Sequence, residues 1–418
     1  MDWPFSTKSR GIGGNIKQRY SDFVVEEIGA DGKKCAAERF LEENGFENAT
    51  PIEIPKRTDE RVFSQLHCDL EKINSETHFA INHLSRFLQV SRKRIGFAGM
   101  KDKRAITCQR ISLFQPNLEK LALFKSKMMD LRNFEWKKER IEIGDLKGNA
   151  FSITIRNIEL DSMETEKRLE ESLKEVEQKG VANYFGEQRF GGIREVTHLV
   201  GKELIKGNLE KAVMLYLTHP AEKELEELKE ARKKLLETKD FSQASNDFPI
   251  ENRFERAMIH HLCEYPNDFA GAFSKLPKSM RYLFTHAYQS FLFNQIIAER
   301  MEQGFGLKTI EGDVLEEGIP TVPLFGFETK FAEGKAGEIE KKIIGKEGVS
   351  LREFRVPQLP EASSAGGRKK IALHPKKMKM VAVETDELNA GKTKAALFFE
   401  LEKGSYATVV LREICKKV

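Results

Sequence analysis

The stretch Gly96-Phe97-Ala98-Gly99-Met100-Lys101-Asp102-Lys103-Arg104-Ala105-Ile106-Thr107-Cys108-Gln109 has two glycines at its start and no amphipathic period, and it sets one carboxylate among cations. It reads as a basic turn that leads into a strand from Thr107 to Phe114. Between Arg92 and Arg110 the basic residues Arg92, Lys93, Arg94, Lys101, Lys103, Arg104 and Arg110 surround a single acid, Asp102. Flanking cations favour the charged form of a carboxylate, so Asp102 is suited to act as a nucleophile or base and not as an acid. An isolated Asp in a loop ordinarily makes a turn or a surface ion pair. The rest of the chain decides between these readings.

Upstream, Ser21 to Ile28 reads as a strand, and Val62, Ser64 and Leu66 alternate as another. Thr77 or Ser75 is placed to cap a helix that buries Phe79, Ala80, Leu84, Phe87 and Leu88. The glycines Gly11, Gly13 and Gly14 could form a nucleotide loop, but no strand precedes them and no helical pattern follows, so a flexible entry is expected. Downstream, Phe151, Ile153 and Ile155 alternate with Ser152, Thr154 and Arg156 as a half-buried strand. A helix with Leu169, Leu173 and Val176 on one face follows and stops at Gly180. After Asn183-Tyr184-Phe185-Gly186-Glu187-Gln188-Arg189-Phe190-Gly191-Gly192 the texture changes. Residues 195 to 360 carry mostly helical patterns, including a helix from about Thr285 to Met301, and Ser363 to Gly367 forms a loop or boundary. Strand character returns in Ala395 to Leu401, and Ser405 is placed to cap a short terminal element ending in Lys416-Lys417. There is no internal repeat.

A chain of 418 residues implies two or three domains. Its 40% hydrophobic content, with 29 Phe, supplies an aromatic core and excludes disorder, and its 32% charge implies a well-solvated surface. There is no long apolar stretch and the start Met1-Asp2-Trp3-Pro4 lacks a signal pattern, so a cytoplasmic protein without membrane contact is expected. Cys35, Cys68, Cys108, Cys263 and Cys415 form no Cys-x-x-Cys pair, and neither His78 with His83 nor His260 with His261 shares a helix face, so reduced thiols and no metal are expected. The net charge of +4 is unevenly spread: a second basic run, Arg368, Lys369, Lys370, Lys376, Lys377 and Lys379, has no acid between Ala362 and Val383. Such runs suit a phosphate backbone, although one run alone is ordinarily a solvated surface; the acidic segments Asp161 to Glu177 and Glu222 to Glu237 read as exposed helix faces.

Six blocks in order resemble the tRNA pseudouridine synthase D (TruD) family, in a form closest to its archaeal branch. They are Lys17 with Asp22-Phe23-Val24-Val25-Glu26; Phe97 to Gln109; Leu146-Lys147-Gly148-Asn149-Ala150-Phe151; Asn183 to Gly191; Ala287-Tyr288-Gln289-Ser290-Phe291-Leu292-Phe293-Asn294; and Gly404 to Glu413. The resemblance implies an α+β fold: a pseudouridine synthase catalytic domain on a mixed, largely antiparallel sheet, formed by residues 1–194 plus 367–418, with a TRUD α/β domain inserted over 195–366. It implies isomerisation of uridine to pseudouridine, typically at position 13 of tRNA, with no cofactor and no obligatory protein partner. By motif match Asp102 is the catalytic aspartate. The resemblance implies that Phe23, Asn183 and Tyr406 contact the target nucleotide, with Phe185, Lys101 and Lys17 beside it. Met100 and Tyr406 stand where other members carry Gln or Ile and Phe, changes that keep size or aromaticity.

The chemistry follows from the reaction. The N1–C1′ bond breaks, the uracil turns while held, and C5 bonds to C1′. A carboxylate can attack the base or the sugar, or support deprotonation of the sugar, and the residues leave these open. A stacked target must be flipped out onto aromatic and edge-reading groups. Phe23, Phe185 and Tyr406 can stack, and Asn183 both donates and accepts; for Phe23 and Phe185 ordinary core is the competing reading. Lys17, Lys101 or Arg189 is placed to pair with Asp102 or a phosphate. The alternatives are an RNA-binding module that has lost catalysis, against which the intact Asp102 motif speaks, and a nucleotide-cofactor enzyme using Gly11 to Gly14, which lacks the dinucleotide pattern.

Overall fold

The computed structural model describes residues 3–42, 51–59, 62–192, 194–221 and 223–416, so features at Met1, Asp2, Glu222 and Lys417 lie outside the described residues. The first elements are β1 (Phe23–Gly29), β2 (Gln65–Ile73), α1 (Thr77–Phe87), β3 (Ile95–Phe97), β4 (Ile106–Phe114), α2 (Leu118–Ala122), β5 (Met129–Lys137), β6 (Leu146–Ile158) and α3 (Ser162–Lys179). The middle of the chain holds β7 (Val181–Ala182), α4 (Thr197–Ile205), α5 (Leu209–Thr218), α6 (Glu226–Thr238), α7 (Phe241–Asp247), α8 (Arg253–Glu264), α9 (Phe269–Ser274), α10 (Lys278–Glu302), β8 (Val314–Glu316), β9 (Ile319–Leu324), α11 (Gly334–Glu347), β10 (Gly367–Lys370) and β11 (Ala372–Leu373). Then come β12 (Lys376–Thr385), β13 (Thr393–Glu402) and α12 (Ala407–Cys415). They form two units: a sheet unit, Thr7–Gly180 with His374–Val418, and a helical unit, Met1–Ser6 with Val181–Leu373.

The sheet unit is built on the strand order β12-β13-β6-β1-β4-β2-β5, with β3 also on β4. Among the described residues every pairing in this sheet is antiparallel except β1 with β4, which run parallel with Val24 beside Ile106 and Val25 beside Thr107. This mixed, largely antiparallel sheet is the one expected. Because β1 and β4 are parallel and in register, the chain entering β1 and the chain entering β4 arrive at the same end of the sheet. Side chains opposite one another share a face, so Phe23, Val25, Thr107 and Lys72 project together with Phe151 and Phe399. Phe151 stacks on Phe399 at 5.4 Å and meets Phe23 edge-on at 6.3 Å, an apolar floor for that face.

The N-terminal segment is an ordered part of this unit and not the flexible entry expected. The Ile12 and Gly13 amides donate to Ile414 and Cys415, and Asn15 bridges to Arg156. A Cβ at Gly11 would sit 2.3 Å from the Cys415 carbonyl oxygen. Gly14, at φ +85°, would drive one to 2.6 Å from Ile155. The glycines therefore let the chain pass close beneath α12 and β6.

The helical unit has α10 as its spine. Phe284, Tyr288, Leu292, Phe293, Ile296 and Ile297 are buried along it at helical spacing, in one core with α4, α5, α8 and α11. The unit begins on β7 and ends on β11, which pair antiparallel with Val181 opposite Leu373. Trp3 stacks on Tyr184 within it at 5.8 Å.

Some local expectations are corrected. In α1 the buried residues include Ala80, Ile81 and Leu84, whereas Phe79 and Phe87 are exposed; they lie on a stripe with His83 that meets Phe124 edge-on. Neither Ser75 nor Thr77 caps that helix, because the N-cap is Glu76 and the Thr77 hydroxyl is used elsewhere. Ser405 does not cap α12, whose N-cap is Tyr406. α10 starts at Lys278, before the expected Thr285, with Pro277 as its N-cap. All five cysteines are free, as expected.

Candidate active site

The segment from Ala98 to Ala105 is held at nearly every residue by groups of the sheet unit. The Gly144 amide donates to the Ala98 carbonyl at 2.8 Å, and Gln109 Nε2 donates to the Gly99 carbonyl at 3.0 Å. The Lys101 amide donates to Thr77 Oγ1 at 2.9 Å, and that hydroxyl donates to Gln109 Oε1 at 3.2 Å. Lys101 Nζ reaches Glu27 Oε2 at 2.5 Å in an ion pair that is almost fully buried on both sides, and Glu27 Oε1 also accepts from the Arg110 amide. Removing one partner of such a pair leaves a buried charge, at a cost of about 3–5 kcal/mol. Lys101 is therefore an internal anchor in this structure, not an exposed cation.

Asp102 follows directly. Its Oδ1 accepts from Lys17 Nζ at 2.8 Å, which identifies the pairing residue among the three cations expected. The carboxylate retains 36% of its exposure, and among the described residues no protein group donates to Oδ2. The same Lys17 ammonium lies 3.9 Å from the centroid of the Phe23 ring. Lys17 is left-handed, at φ +61°, a costly conformation for a lysine that is tolerated where the surrounding structure fixes it. Phe23 itself is 1% exposed, floored by Phe151 and covered by Lys17. Asp22, just before it, is locked by Arg156 at 2.7 Å, and Arg156 also holds Asp386.

Beneath the loop stands Lys72, a residue the sequence did not single out. Fully buried on β2, between β4 and the edge strand β5, it donates to the Asp102 carbonyl at 2.9 Å and to the Ser75 carbonyl at 2.6 Å. Burial lowers its pKa to about 8, and the Asp102 charge works in the opposite direction. The signal was available: Leu66, Cys68, Leu70 and Lys72 alternate, so a lysine closes an otherwise apolar row. Tyr406, at the N-cap of α12, is 45% exposed and offers a free aromatic surface.

Asn183 and Phe185 belong to the helical unit. Asn294 of α10 clamps Phe185 through both main-chain groups, accepting from its amide and donating to its carbonyl at 2.9 Å each. The Asn183 amide donates to the Ile371 carbonyl and its Nδ2 to the Lys370 carbonyl, while Oδ1 is buried with no donor among the described residues. Arg189 stands over the Phe185 ring at 5.5 Å and donates to Ser290 at 3.0 Å.

Parts of both basic runs are turned to protein partners, while Arg92, Lys93, Lys103 and Arg104 stay exposed. In the first, Lys101 and Arg110 turn inward to Glu27 and Asp69. The second is divided: Arg368 to Lys370 lie in the helical unit and Lys376 to Lys379 in the sheet unit. Arg368 there pairs with the buried Glu340, Lys370 with Glu317, Lys376 with Glu402 and Lys377 with Glu400. Among the described residues no three His, Cys, Asp or Glu side chains gather as a metal site, and no helix is long and apolar enough to cross a membrane.

The α+β fold, with its mixed sheet, is that of a pseudouridine synthase catalytic domain with further helical structure. The family model described as tRNA pseudouridine synthase D (TruD) matches residues 3–319 and 315–414. The "Probable tRNA pseudouridine synthase D" of Methanosarcina acetivorans is 40% identical over 447 residues, covering 99% of this chain and 95% of that protein. Its counterpart in Methanococcoides burtonii is 38% identical with the same coverage. A crystal structure of TruD from Methanosarcina mazei superposes with a TM-score of 0.79 at 38% identity, covering 99% of this chain and 96% of that one. The chain belongs to the TruD family.

Proposed function

We propose that the protein isomerises uridine to pseudouridine in tRNA, at position 13, with Asp102 as the catalytic carboxylate. The observation that carries this reading is the state of Asp102: one oxygen is tied to Lys17, the other has no protein donor among the described residues, and the main chain on both sides is pinned. Such a group is preorganised, so little reorientation is needed as the substrate reacts. The reaction balances without a co-reactant. The N1–C1′ bond breaks, the C5–C1′ bond forms, C5 gives up its proton, and N1 ends protonated. Oδ2 is suited to add to the sugar or the base, or to accept a sugar proton, and each route returns the carboxylate at the end.

Access to a stacked uridine requires flipping. Tyr406 supplies the exposed stacking face. Phe23 and Phe185 each carry a cation over the ring, so either can stack on a base only once that cation leaves it. Asn183 offers its unpaired Oδ1 to an N–H of the RNA. Residues 1–194 with 367–418 are proposed as the catalytic part and 195–366 as the inserted part, the inserted part serving to hold the tRNA.

Tritium release from bulk tRNA labelled at C5 of uridine tests the reaction, because the label leaves only when C5 bonds to carbon. Release from tRNA with uridine at position 13, and none when that position is changed, is the expected result. Binding of tRNA with no release would make the protein an RNA-binding module and would sink the proposal.

A further inference from the structure

Strand β10 alternates its side chains, and Lys369 differs from its neighbours on either side. Arg368 reaches Glu340 and Thr321, and Lys370 reaches Glu317. Lys369 points to aromatic rings instead: its ammonium lies 5.2 Å from the centroid of Phe185 and 5.4 Å from that of Phe293, and among the described residues no carboxylate stands within ion-pair distance. Three observations converge beside it. The Phe185 ring also carries the Arg189 guanidinium, 5.5 Å from its centroid. Asn183 bonds the carbonyls of Lys370 and Ile371, immediately after Lys369 in the chain, and leaves a buried Oδ1 with no donor among the described residues. Burial alone lowers the Lys369 pKa to about 7. A desolvated cation is ordinarily paired, and one left on ring faces is ready to receive an anion from outside.

We propose that Lys369 is an anion-binding residue that takes a phosphodiester of the RNA, with Asn183 Oδ1 accepting a hydrogen bond from the adjoining nucleotide. This rests on the reading of tRNA as substrate and adds a residue, a ligand group and a linkage to it. A phosphate beside the ammonium favours its charged form, so binding draws a proton onto Lys369. The other groups facing it do not supply this proton near neutral pH. His286, depressed below its ordinary value by burial and by Arg189, is already neutral above pH 7. Arg368 and Lys370, on the opposite face of the strand, are occupied by Glu340, Glu316 and Glu317.

The test uses the full chain and an unmodified tRNA transcript, with affinity measured from pH 6.5 to 9 at constant ionic strength. Wild-type affinity should fall above pH 7 with a slope approaching tenfold per pH unit. Lys369→Arg, which stays charged, should bind with little slope. Lys369→Met should bind at least tenfold more weakly at pH 6.5, with little slope and with its log affinity against log salt shallower by up to about one unit. Wild-type affinity and salt slope in Lys369→Met, or an undiminished alkaline loss in Lys369→Arg, would overturn the proposal. If Lys369→Met fails to melt cooperatively, the Arg variant alone decides. Tritium release by the wild type, run in parallel, keeps the two questions apart. No release would remove the isomerase reading while the binding slopes still judge Lys369, and release with unchanged slopes would remove Lys369 alone.

Discussion

The loop that carries Asp102 and the segment that carries Asn183 and Phe185 are assembled on opposite principles. Around Asp102 the cations are matched: Lys101 to Glu27, Lys17 to Asp102 itself, and Lys72 to main-chain carbonyls. Around Phe185 the Lys369 ammonium rests on rings, and among the described residues the Asn183 amide oxygen is left without a donor. Internal matching fixes geometry, because each bond removes a direction in which the carboxylate could drift. Unmatched groups keep a site open for a molecule that brings the missing charges. The first region is built to act and the second to receive.

The largest expected effect lies in the first region. Asp102→Asn should abolish pseudouridine formation while folding and tRNA affinity stay close to wild type, since the side chain is partly exposed and its ion pair is worth at most about 1 kcal/mol. Residual turnover above about one per cent of wild type would contradict covalent catalysis by this residue.

Next comes the anchor. Glu27→Gln strands the Lys101 ammonium and should cost about 3–5 kcal/mol, a fall of about 10 °C in melting temperature. The double variant Glu27→Gln with Lys101→Met should recover much of that loss. A single variant that melts with the wild type would mean the loop is held by something else.

Lys72 separates positioning from stability. Its folded pKa, about 8, lies below the ordinary lysine value, so between the two values the unfolded chain binds more protons and this group's contribution to stability rises with pH. Lys72→Met should remove that rise, seen as a flatter unfolding free energy from pH 7.5 to 10. It should also lower kcat about tenfold or more with little change in KM, because the lost bond orients Asp102 and does not bind RNA. Lys72→Gln, which keeps a donor without the charge, should regain part of kcat but not the pH slope. A KM effect alone would refute the positioning role.

The smallest effect belongs to the exposed pairs on β12. Lys376→Gln with Lys377→Gln should change stability by less than about 1 kcal/mol, since surface ion pairs contribute little. If these lysines do contact RNA, the salt slope of tRNA binding will drop instead, and the contrast drawn with Lys369 will weaken.

Much of this arrangement was legible in the sequence where a local period reports a local structure. The alternation at Phe151, Ile153 and Ile155 marked β6, and Leu169 with Val176 marked α3. Asp102 stood out as the single acid in a basic stretch. What could not be read depends on separation in the chain. The Lys17 pairing with Asp102 requires that β1 and β4 run parallel, which no local pattern states. The division of the second basic run follows from a unit boundary between Leu373 and His374. Thr77 looked like a helix cap because the capping preference is local, and its use by the Lys101 amide is not.

The β7–β11 pair has a kinetic meaning. β13 must find β6 although the whole helical unit is threaded between them in the chain. While that unit is unfolded, the search spans a long flexible loop. Once Val181 and Leu373 are paired, the same search spans roughly 40 residues in place of about 230, and the entropic cost of closing the sheet falls by about 1.5 kcal/mol on the logarithmic loop law. Addition of the last two strands is thereby gated by folding of the helical segment, so the nascent sheet keeps β6 as an open edge until the chain has returned.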